Sequence, residues 1–148
     1  MGKSKKKNLQ EGKSKMTYIT GNKDLLTHIY ISHRATLKSE DRLRGYTVEG
    51  RWNEVVRLYS SDPKFSTIEI NKSRGTALHV AVNDGNEEIV KSLVNSILSH
   101  NNVEALECKN EKGDTPLHLA ASRGFKDICE CIIGEGGERK YLIEKESF

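Results

Sequence analysis

If this chain performs chemistry, it has few parts to build it from. His118 precedes Cys129 and Cys131, and a histidine held against a thiol can serve as base to its nucleophile. The same two cysteines with Cys108 would offer three soft ligands to zinc. Lys3, Lys5, Lys6 and Lys7 make a cationic cluster of the kind that meets anionic membranes or nucleic acid. Gly134-Glu135-Gly136-Gly137 has the glycine content of a phosphate-binding loop.

Spacing argues against each of these. Cys129 and Cys131 on one helix would aim their sulfurs about 200° apart, and no second close pair completes a tetrahedron. The glycine run lacks a preceding strand and a Lys-Ser/Thr. The lysine cluster has no interleaved aromatics to stack on bases. Lys6 occupies the position where N-myristoylation of Gly2 would want Ser or Thr. His118 has a twin in His79, where Val90 and Ser92 replace the two cysteines. A histidine retained without a thiol serves the fold. The sequence therefore predicts no catalytic residue, no metal ligand, no cofactor and no small-molecule substrate.

The elements around those residues repeat. Thr76-Ala77-Leu78-His79 returns as Thr115-Pro116-Leu117-His118 at an offset of 39, which also superposes Asn71 on Asn110, Ala81 on Ala120, Gly85 on Gly124 and Leu93 on Ile132. A repeat of about this length built on T-P-L-H resembles the ankyrin unit, a β-turn followed by two antiparallel helices. Thr76 and Thr115 cap the first helix of each unit, and Pro116 at the first helical position gives up an N–H that had no partner. Leu78 and Leu117 fill the layer between helices, and Gly85 and Gly124 supply a left-handed turn. The stripe Ile89, Val90, Leu93, Val94, Ile97 and Leu98 predicts a long second helix that, with the loop Ser99 to Asn102, accounts for the long period. Cys129 stands in for the core residue Val90.

A third, degenerate unit precedes these. Aligning Gly50 with Gly85 places Leu43 on Leu78 and Val55 on Val90, although Asp41-Arg42-Leu43-Arg44 replaces T-P-L-H. Trp52 and Tyr59 read as core aromatics of its second helix. The expected organisation is a basic disordered tail over 1–23, a capping helix over 24–38 built on Leu25, Leu26, Ile29 and Tyr30, repeats over 39–70, 71–109 and 110–141, and the start of a further unit over 142–148. The fold class is an all-α ankyrin-repeat solenoid of about two and a half repeats. The open last helix pair predicts self-association through Ile128, Ile132 and Ile133.

Only 35% of the 148 residues are hydrophobic and 30% are charged, as suits a thin solenoid with a polar tail. Residues 1–23 hold seven Lys and one Glu, so the net charge of +3 is carried by the tail. The first residues do not read as a signal peptide and no apolar run is long enough to span a membrane, so the three cysteines are expected to be free thiols in a reducing compartment. The expected location is cytoplasmic, with the nucleus or the plasma-membrane periphery as alternatives reached through the lysine tail.

Gly50-Arg51-Trp52-Asn53-Glu54-Val55-Val56-Arg57-Leu58-Tyr59, Asp62-Pro63, Gly75 to Val82 and Gly113 to Ala121 resemble the opening repeats of plant ankyrin proteins that end in a membrane domain called PGG. The resemblance implies a protein-binding scaffold linked to stress and defence signalling, here truncated before the membrane domain. It also implies that His79 and His118 bond to the Thr hydroxyl and neighbouring backbone. Arg74 departs from the pattern, with the turn glycine displaced to Gly75.

Function is thus expected on a surface. The hairpin tips and the outward side of each first helix are left free by the fold: Lys72, Ser73 and Gly75 with Asn83 and Asp84, then Glu111, Lys112 and Asp114 with Ser122 and Arg123. Their mixed charge predicts a polar protein partner rather than nucleic acid. Membrane-surface or nucleic-acid association through the lysine cluster is the alternative.

Overall fold

Three glycines set the frame. Gly50, Gly85 and Gly124 have φ of 74°, 71° and 75°, and each ends a helix with the same pair of backbone bonds. The N–H of the following residue reaches back five positions, Arg51 to Tyr46 (2.8 Å), Asn86 to Ala81 (3.2 Å) and Phe125 to Ala120 (2.9 Å). This closing bond needs a left-handed residue in the turn, which glycine supplies at no steric cost. A computed structural model describes residues 38–146. The tail over 1–23, and the capping helix expected over 24–38 except its final residue, lie outside the described residues.

The turns join helices in pairs. α1 (38–49) is followed by α2 (Trp52–Ser61), α3 (Ala77–Asn83) by α4 (Glu87–Ser99), and α5 (Pro116–Ser122) by α6 (Lys126–Ile133); α7 (Tyr141–Glu146) comes last. α4 lies between α2 and α6, while α3 packs on α4 and α5, so the α3 and α5 helices form one layer and α2, α4 and α6 the other. Leu43, Val55, Leu78, Leu93 and Ile132 are fully buried between them. The first unit is thus a whole helix pair, and the described chain holds three pairs rather than two and a half. α4 is 13 residues long against 8 for α6, so the long period does arise in this helix. β1 (Glu69–Asn71) and β2 (Gly75–Thr76) form a short antiparallel hairpin ahead of α3, with its register shifted by a bulge.

Two expectations about the last pair are corrected. Ile128 and Ile132 are 3% and 0% exposed, so they cannot carry self-association; of the three residues proposed, Ile133 alone stays half-buried. Leu142 of α7 is buried in the same core. Cys129 is half-buried where its counterpart Val90 is fully buried; among the described residues α4 packs between α2 and α6, whereas α6 has one neighbour, α4, in that layer.

The C-terminal carbonyls of α6 are met by Arg139. Its Nε donates to Ile132 O at 2.7 Å and an Nη to Cys131 O at 3.1 Å, with the side chain 12% exposed. Charge-assisted bonds to carbonyls at a helix C-terminus are stronger than neutral ones. We predict that Arg139→Ala costs about 2 kcal/mol in urea unfolding, and that Arg139→Lys recovers only part of it because an ammonium lacks the fork. A loss within about 0.5 kcal/mol for the alanine variant would show that the carbonyls are satisfied without it.

Candidate protein-binding surface

Each T-x-L-H tetrad is a closed hydrogen-bonded unit. Thr76 Oγ1 accepts from the His79 N–H at 3.4 Å, and the Thr76 N–H donates to His79 Nδ1 at 3.1 Å. Thr115 and His118 do the same at 3.2 and 3.1 Å. This is a capping box with histidine in the place usually taken by Glu or Gln. Because Nδ1 accepts, Nε2 carries the proton, and it donates to Asp114 O in the next repeat at 2.8 Å. Burial holds the His79 imidazole below its ordinary pKa, with the bond to Asp114 opposing. A neutral ring with both nitrogens in use has no capacity left for acid or base catalysis.

The thiols are shifted away from the thiolate form. Burial pushes Cys108, Cys129 and Cys131 up, and neighbouring glutamates add to this at Cys108. A nucleophilic cysteine needs the opposite shift. Among the described residues no group of three or more His, Cys, Asp or Glu could hold a metal ion.

The loops before α3 and α5 are built alike. Asn71 Oδ1 accepts from the Arg74 N–H and the Ser73 hydroxyl, at 2.9 and 3.0 Å. Asn110 Oδ1 accepts from the N–H groups of Lys112 and Asp114, at 2.9 and 3.0 Å. A carboxamide folding back on its own turn in this way fixes the tip. The two tips are then joined through the backbone, Glu111 N–H to Lys72 O at 2.9 Å. Lys72, Ser73, Glu111 and Lys112 are exposed on these tips, and Asn83, Asp84, Ser122 and Arg123 are exposed where α3 and α5 end.

Ser73, Asn83, Lys112 and Asp114 line one cleft of about 210 Å³ between the second and third repeats. Arg74, Asn110, Val80 and Leu119 line it too, outside the surface read from the sequence. The repeat offset held the signal for Val80 and Leu119, which are equivalent positions on α3 and α5. Gly75 does not belong to this surface. It is buried, with φ of 82° and the His79 ring beside it, so a Cβ there would lie 2.6 Å from Nδ1. At this φ only a residue without a Cβ leaves the His79 ring its place. Asp114 is half-buried, and its carbonyl holds His79.

A family described as ankyrin repeats (3 copies) matches residues 46–143. The chain belongs to the ankyrin-repeat family. This ankyrin chain is similar to protein phosphatase 1 regulatory subunit 27 of Homo sapiens, 40% identical over 86 residues, which are 58% of this chain and 52% of that protein. It is 31% identical to protein phosphatase 1 regulatory subunit 12A of Rattus norvegicus over 104 residues, 66% of this chain and 10% of the relative. Protein ACCELERATED CELL DEATH 6 of Arabidopsis thaliana is 27% identical over 106 residues, 64% of this chain and 16% of that protein. The ankyrin chain thus spans about half the length of the first relative and a small part of the others. No solved structure matches it. Among the described residues no helix is long and apolar enough to cross a membrane.

Proposed function

We propose that this chain is a non-enzymatic protein-interaction module. Its contact face is the strip of hairpin tips and first-helix ends: Lys72, Ser73, Asn83, Asp84, Glu111, Lys112, Asp114, Ser122 and Arg123. The observation that carries this reading is the bond from Glu111 N–H to Lys72 O, which locks neighbouring tips together while their side chains project outward. A partner meeting pre-ordered side chains loses little conformational entropy, and that is the use of a rigid repeat surface. Similarity to phosphatase regulatory subunits supports a protein partner, and a place in plant stress or defence signalling is what the resemblance to plant ankyrin proteins implies.

The test begins with a partner captured from native extract and purified. Replacing Asp84, Lys112 and Arg123 together by alanine is expected to weaken its binding about 50-fold or more with helicity intact. Replacing Lys91, Lys126 and Glu130 on α4 and α6 should change it less than about threefold, although Lys91 and Glu130 line a groove of their own. The reverse ranking would move the site to the second helices. Binding that collapses between low and physiological salt, and survives the triple alanine variant, would assign it to the lysine tail.

A further inference from the structure

The cleft between the second and third repeats has more hydrogen-bond donors than the fold uses. Arg74 comes from one hairpin tip and Lys112 from the next, and neither makes a salt bridge with a described residue, although Asp114 lines the same cleft. Asn110 uses its carbonyl oxygen on the backbone N–H groups of Lys112 and Asp114, which leaves its amide hydrogens available. Leu119 adds an apolar lining, with Val80 buried beneath it at 2% exposed. His79 takes no part, since both of its ring nitrogens are bonded elsewhere.

We propose that this cleft receives a carboxylate side chain from an acidic peptide segment of the partner. Its methylenes lie on Leu119, and its oxygens meet the Arg74 fork and the Lys112 ammonium. The inference rests on the strip being the contact face. Charge favours an anionic ligand: two cations against the one carboxylate of Asp114 leave a single net positive charge, which a monoanion neutralises. The guanidinium fork matches carboxylate geometry, and the apolar lining favours the longer stem of glutamate.

Random dodecapeptides displayed for selection on the full chain test this, with recovered peptides titrated by fluorescence anisotropy. The expected result is enrichment of Glu or Asp at one position and binding weakened at least about tenfold by Arg74→Ala with Lys112→Ala. Lys112→Glu should turn the preference at that position towards Lys or Arg. Peptides that lose binding on Asp84→Ala with Arg123→Ala, yet show no acidic preference or ignore Arg74 and Lys112, would overturn the inference and leave the strip standing. Peptides indifferent to both pairs, or no enrichment at all, would sink the strip and the inference together. Acidic peptides released by replacing Lys3, Lys5, Lys6 and Lys7 with glutamine would place the preference on the tail and overturn it as well.

Discussion

Gly75→Ala is expected to destabilise the chain by about 3 kcal/mol, a drop of more than about 10 °C in Tm for a domain of this size. Two costs combine. At φ of 82° an L residue is in left-handed backbone, worth roughly 1–2 kcal/mol. The new Cβ would also lie 2.6, 2.8 and 3.0 Å from Nδ1, Cγ and Cε1 of His79, and something must move. The ring cannot move cheaply, being held by Thr76 N–H on one side and Asp114 O on the other. Yielding gives up a buried hydrogen bond, about 1–3 kcal/mol. Gly113→Ala is the control, since Gly113 has φ of 84° and nothing within 4 Å, so it should cost the strain alone. In a His79→Ala background the penalty of Gly75→Ala should shrink towards that of Gly113→Ala, a coupling visible in a double-mutant cycle. Equal costs for the two glycine variants in the wild-type background would show that the histidine contact carries no energy.

His79→Ala is expected to cost about 3 kcal/mol near pH 7. It strands the fully buried Thr76 N–H and the Asp114 carbonyl and leaves a cavity between two repeats. His118→Ala should cost less, because its side chain is only half-buried. The loss at His79 depends on pH with a definite sign. Burial favours the neutral ring, so the folded pKa lies below the ordinary value of about 6.5 and the unfolded chain binds the proton more readily. The stabilisation is complete above about pH 6.5 and drains away as pH falls towards the folded pKa, by at most about 1.4 kcal/mol per pH unit. Urea melts of wild type and His79→Ala between pH 8 and pH 5 should therefore show a gap that is constant at the alkaline end and narrows below about pH 6.5. A gap that stays constant to pH 5, or widens, would mean that the ring is charged in the folded protein.

Much of this protein is legible in its sequence because its recurring bonds are local. The capping box closes over three residues, from Thr76 to His79 and from Thr115 to His118, and each helix-ending turn closes over five, as from Ala81 to Asn86. Bonds of that reach leave a residue-type signature at fixed spacing, so tetrads, glycines and the apolar stripe of α4 declare themselves. The first helix pair was blurred only because Asp41 to Arg44 carries no tetrad, while its closing glycine kept the geometry of the others. Which side chains are free is a different kind of fact. It depends on what stacks over each position from another repeat, and local spacing holds no record of that. Tertiary packing covered Ile128 and Ile132 and left Cys129 half-open where Val90 is sealed. It also brought Arg74 and Lys112, on separate loops, to one cleft. Repeat sequence alone determined the scaffold; the stacking of one repeat on the next decided which part of it a partner can touch.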